Sequence, residues 1–153
     1  MVVIDFGKKI KGAPGFFSFP PPKPLADATI PDLREICNLG YRDAYVRETA
    51  RIVARSPQLL SEIARLPYCQ ARREIMKLPG VGPKVADCVL LYGMGRFEAF
   101  PVDTWIRKIL QKSYSLAKGV PPSQIRAFAE EHFGPFAGYA QLYLFQYALT
   151  GTG

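Results

Sequence analysis

Cysteine is scarce in this 153-residue chain, where Cys37, Cys69 and Cys88 are odd in number and widely spaced. No Cys-x-x-Cys pair occurs, and His132 is the single histidine. These shortages argue against a disulfide scaffold, a zinc site and a four-cysteine iron–sulfur cluster, so no resident metal or cofactor is expected. A reducing compartment is the natural setting. Long hydrophobic runs are lacking too. The longest near-apolar stretch, Phe136 to Leu149, is interrupted by Gln141 and Gln146 and is too short to span a bilayer. The first residues lack the extended apolar core of a secretory leader. The sequence therefore predicts a soluble intracellular protein with no membrane partner.

The chain does carry a basic excess. Twenty Lys and Arg stand against thirteen Asp and Glu, giving a formal charge of +7 and a pI near 9.5. Such a surface suits a polyanion, because neutralised phosphates release counterions. Solubility alone explains the charge equally well. Hydrophobic content of 48% is ordinary for a globular protein, and the length suits one domain with a real core.

Along the chain, residues 1 to 24 read as a strand-like stub, a basic patch (Lys8, Lys9, Lys11) and a loop or linker. Prolines at 20 to 22 and 24 argue against a helix there. Residues 25 to 153 form the predicted domain, helical almost throughout, so the class is all-α. Helices are expected from Pro31 to near Gly40, Tyr41 to Arg55, Ser56 to Leu66 and Ala71 to Lys77. Others are expected from Pro83 to about Tyr92, Thr104 to about Lys112, and near 123–133 and 135–149.

The informative feature is the hairpin between two of these helices, at about residues 70–92. Leu78-Pro79-Gly80-Val81-Gly82 offers two glycines that free the backbone and permit positive φ. Bare N–H groups beside a helix start make an anion site, and a DNA phosphate fits it without any base being read. A tight turn joining core helices, with Val81 packed inward, is the plainer explanation of Gly-x-Gly alone. Lys84 stands at the start of the second helix, where the dipole disfavours added positive charge. Only a neutral amine is a nucleophile, and attack on a sugar C1′ would expel the base and leave a Schiff base. Asp103, nineteen residues further on, is placed to cap the next helix. Its carboxylate would also stabilise an oxocarbenium-like transition state.

Leu78-Pro79-Gly80-Val81-Gly82-Pro83-Lys84-Val85-Ala86-Asp87-Cys88, with Pro101-Val102-Asp103 beyond it, closely resembles the helix-hairpin-helix Gly/Pro-Asp superfamily of DNA glycosylases. Within it the chain looks most like the 8-oxoguanine DNA glycosylase/AP lyases. The endonuclease III branch usually carries an iron–sulfur cluster after its core, and here no cysteine follows Cys88. The adenine-excising branch lacks the lysine nucleophile. The resemblance implies a bifunctional enzyme of base excision repair that acts on double-stranded DNA containing a damaged base, with Lys84 and Asp103 catalytic. Gly80, Gly82 and Val85 would meet a phosphate, and a monovalent cation on the hairpin carbonyls stays open.

The same resemblance implies a base pocket. Cys88, at i+4 from Lys84, would lie on one face of the extruded base. Gln141 would bond its Watson–Crick edge, and Phe145 would stack on the other face. The plain alternative makes Phe145 core and Gln141 a solvated surface residue. Tyr41 would wedge into the duplex while Arg42 bonds the orphaned partner base. A helix start with an exposed Arg42 explains that pair as well. Trp105 departs from the histidine of the animal enzymes, and bacterial members are more similar here, which suits a prokaryotic enzyme of the cytoplasm or nucleoid.

The resemblance spans roughly residues 3 to 150. The family's N-terminal mixed α/β domain and the first helices of its catalytic domain have no counterpart, so the expected fold is a helix-hairpin-helix glycosylase domain truncated at its N-terminal side. An apolar surface where those helices dock would favour self-association. Two other functions remain open: a non-catalytic helix-hairpin-helix fragment that only grips DNA, and a glycosylase for another damaged base.

Overall fold

The computed structural model describes residues 6–150. The strand-like reading of the chain's start falls mostly on residues 1–5, outside the described residues. The described part is mainly helical, and it contains one isolated antiparallel bridge, Lys9 with Phe17, and no longer strand. No helix among the described residues is long and apolar enough to cross a membrane.

The chain divides into two compact units. One comprises the residues up to Ile63 together with Leu78–Gly80; the other comprises Ala64–Lys77 and the residues from Val81 onward.

In the first unit, α1 (Pro22–Asp27) corrects the expectation that the proline run forbids a helix. Pro22 occupies the first helical position and Pro24 the first turn, where backbone N–H groups have no intrahelical partner to lose. The helix expected from Pro31 to Gly40 is only a short π-helical turn, Asp32–Ile36. Asn38 then adopts a left-handed conformation (φ 58°), which ends it early. A single 3-10 turn, Gly40–Arg42, leads into α2 (Asp43–Arg55), with α3 (Leu59–Arg65) after it. Leu25, Ala26, Ala28, Leu33, Cys37 and Ala50 form the core of this unit. Asp43 is buried and accepts a hydrogen bond from Arg34 Nε at 2.5 Å. That guanidinium holds the Asp43 carboxyl below its ordinary pKa, against the opposing effect of desolvation.

In the second unit, α4 (Tyr68–Ile75) starts three residues before its expected position. Pro67 both stops the preceding helix and supplies the carbonyl that accepts from Gln70 and Ala71 N–H. The second hairpin helix, α5 (Pro83–Cys88), continues as a π-helical turn, Val89–Gly93. Next come α6 (Thr104–Ser113), α7 (Pro122–Phe133), a 3-10 turn at Gly134–Phe136 and α8 (Ala137–Thr150). Phe100, Val102, Ile106, Ile109, Leu110, Ile125, Ala129 and Ala137 close the core. Helix α8 lies hard against the Phe97–Ala99 loop at Gly138. A Cβ there would overlap Leu91 Cδ1 and lie 2.9 Å from two backbone carbonyl oxygens. That close approach sets where Gln141, one turn further on, must lie.

Candidate active site

The helix that carries Lys84 is anchored by a buried charge. Asp87, on α5, is fully buried and accepts hydrogen bonds from Arg72 Nε at 2.6 Å and Tyr68 Oη at 2.9 Å, both on α4. Arg126 Nη1 on α7 lies 3.8 Å from the same carboxylate. Arg72 also reaches the Pro83 carbonyl at 3.4 Å. Burial, and then the nearby Asp87 charge, pushes the Tyr68 hydroxyl's pKa far up, so it remains a donor. Paired with Asp87, Arg72 is neither part of a solvated face nor free to meet a phosphate. Lys77 pairs with Glu74 at 2.7 Å.

The hairpin glycines differ. Gly80 uses positive φ (72°), and a Cβ on it would overlap the Tyr45 ring. Gly82 does not: at φ −86°, ψ 179° it is ordinary extended backbone, with open space around it. Of the two glycines that permit positive φ, only Gly80 uses it, because one left-handed residue suffices to reverse the chain. Gly82 instead caps α5, its carbonyl accepting from Ala86 N–H at 2.9 Å. No backbone carbonyl among the described residues engages the N–H groups of Gly80, Gly82, Lys84 or Val85. Val85 is 41% exposed, so the side of the hairpin that it marks is open.

Lys84 is exposed, at the second position of α5. Its ammonium makes no hydrogen bond or ion pair among the described residues, with Asp103 or with any other group. Asp103 caps α6 as expected: Oδ1 accepts from Ile106 N–H at 2.8 Å, and Oδ2 has no partner among the described residues. Cys88 is a half-buried free thiol one turn beyond Lys84.

Tyr92, which no sequence motif singles out, reaches Gln141 on α8. Its hydroxyl donates to Gln141 Oε1 at 3.3 Å. Burial raises its pKa above the ordinary phenol value, and the nearby Cys88 and Asp103 push in the same direction. Spacing holds a usable signal, since Lys84, Cys88 and Tyr92 recur every fourth residue. Gln141 is 3% exposed, so it is not a solvated surface residue. Phe145 is half-buried and packs against the core of this unit. Trp105 is exposed, with Lys108 Nζ 5.0 Å from its ring centre. In the first unit Tyr41 is 71% exposed, with the Arg42 guanidinium stacked over its ring at 4.5 Å. Among the described residues no group of three or more His, Cys, Asp or Glu side chains could hold a metal ion.

Four similarities accompany this geometry. Residues 3–135 match the family described as HhH-GPD superfamily base excision DNA repair protein. A protein of Methanothermobacter thermautotrophicus named "Probable N-glycosylase/DNA lyase" is 44% identical over 123 residues, covering 80% of this chain and 38% of the relative. The N-glycosylase/DNA lyase of Saccharomyces cerevisiae is 31% identical, covering 97% of this chain and 48% of that one. Among solved structures, the Clostridium acetobutylicum 8-oxoguanine glycosylase/lyase in complex with double-stranded DNA containing cytosine opposite 8-oxoguanine superposes with a TM-score of 0.89. It is 36% identical, over 99% of this chain and 52% of that chain. The chain thus spans about half, or less, of the length of these proteins.

Proposed function

Because this chain belongs to the HhH-GPD superfamily of base excision DNA repair proteins, we propose that it carries the catalytic helices of a bifunctional DNA glycosylase/AP lyase that excises 8-oxoguanine from duplex DNA. The observation that carries this reading is the row Lys84, Cys88 and Tyr92 along one helix, with Gln141 hydrogen-bonded to its last member. This reading takes Lys84 as the nucleophile, Asp103 as the carboxylate and Gln141 as the base-reading amide.

In this reading the neutral Lys84 amine attacks C1′ of the extruded nucleotide. The glycosidic bond breaks, its electron pair leaves on the base, and the base takes up a proton. Opening of the sugar ring gives the Schiff base, and loss of a C2′ proton then expels the 3′ phosphate. The free Oδ2 of Asp103 stabilises the positive charge that develops at the sugar. Cys88 and Phe145 bracket the base, and Gln141 reads its edge. The unengaged amides of Gly80, Gly82 and Val85 bind a backbone phosphate, and the reading requires no resident cofactor. Tyr41 fills the emptied stack and Arg42 meets the partner base. Such a protein works where DNA is, inside the cell.

Borohydride trapping tests this. The wild-type chain is expected to form a covalent complex with duplex DNA carrying 8-oxoguanine opposite cytosine, and Lys84→Gln is not. Binding without trapping would point to a module that only grips DNA. Trapping on another lesion alone would refute the substrate.

A further inference from the structure

Tyr92 has a partner that its surroundings do not require. Tyr92 is 58% exposed, yet its hydroxyl reaches inward to a nearly buried amide. That bond is the single hydrogen bond of the Gln141 side chain among the described residues, and Gln141 Nε2 has no partner there. A terminal carboxamide turns easily, with a broad, roughly two-fold preference, and the two orientations present opposite donor and acceptor patterns. In the orientation present, the hydroxyl donates to Oε1. It leaves the two N–H donors of Nε2 and the second lone pair of Oε1 to face a ligand. That pair matches an adjacent carbonyl acceptor and ring N–H donor, as a guanine-type edge displays.

We propose that Tyr92 is a positioning residue that holds the Gln141 carboxamide in the orientation that reads an oxopurine, acting through the amide rather than on the sugar. The inference rests on the glycosylase reading above. The hydroxyl remains a donor through the neutral range, because burial and the neighbouring Cys88 and Asp103 favour its protonated form.

The test compares two substrates for the full chain. Borohydride trapping is measured on duplexes carrying 8-oxoguanine opposite cytosine and on duplexes carrying an abasic site, which offers no base to read. For Tyr92→Phe, the ratio of 8-oxoguanine to abasic-site trapping is expected to fall about 3- to 10-fold, the worth of one hydrogen bond. In the background of Gln141→Ala, adding Tyr92→Phe is expected to lower that ratio no further. An unchanged ratio, an equal loss on both substrates, or additive effects of the two substitutions would overturn the proposal. If the wild type traps neither substrate, the glycosylase reading itself fails, and the Tyr92 role fails with it.

Discussion

Asp87 and Arg72 join the two hairpin helices through a carboxylate with no exposed surface and a guanidinium Nε 2.6 Å away. The pair fixes the helix that bears Lys84 against the helix before it. Removing one partner leaves a buried charge short of compensation, which typically costs about 3–5 kcal/mol. Arg126 and Tyr68 still face Asp87, so Arg72→Ala is expected at the lower end, about 3 kcal/mol, measured by urea denaturation. A loss under about 0.5 kcal/mol, typical of an ordinary surface change, would show that the pair does not anchor the hairpin.

The two hairpin glycines should separate stability from DNA contact. Gly80→Ala forces a Cβ into the Tyr45 ring from a left-handed backbone, so it should destabilise by about 1–3 kcal/mol. Gly82→Ala meets nothing and needs no special φ, so its stability should change by only about 0.5–1 kcal/mol. If a phosphate approaches the Gly82 amide, this second variant still loses affinity for duplex DNA. Fluorescence anisotropy reads that loss, and unchanged binding would remove Gly82 from the contact.

Acid should weaken the first unit through Asp43. Its folded pKa is depressed by Arg34, so the stability it contributes is present above the unfolded carboxylate value of about 3.9 and is lost as pH falls through the folded one. Asp43→Asn is therefore expected to melt below the wild type at neutral pH, with the gap closing below about pH 4. A gap constant from about pH 7 to about pH 3, measured by thermal melts, would contradict the ion pair.

Helix α8 presents Tyr139, Tyr143 and Tyr147 at every fourth position, all exposed, with Tyr143 at 78%. Such a row favours association. Sedimentation should show species larger than the monomer at high concentration, reduced by Tyr143→Ser. A monomer at all concentrations would count against it.

Much of this fold is written locally. The α6 start is legible because Asp103 is a capping side chain directly before an apolar-periodic segment. Prolines mislead at α1, because a proline excludes a helix interior but suits a first turn. The π-helical turns at Asp32–Ile36 and Val89–Gly93 are not legible, since they depend on packing more than on composition. At the site, Lys84, Asp103 and Cys88 stand out by motif spacing. Arg72 is not legible as the partner of a buried Asp87, because a basic run on a short helix resembles a solvated face. The Tyr92–Gln141 bond, 49 residues apart in the chain, requires the close approach of α8 at Gly138.

A glycosylase/lyase of this kind requires the Lys84 amine to form the covalent bond to DNA. Mass spectrometry of the borohydride-reduced complex on 8-oxoguanine-containing duplex locates that bond directly. A sugar adduct is expected on the peptide containing Lys84 and on no other. An adduct on the N-terminal amine or on another lysine, or its persistence in Lys84→Gln, would contradict it.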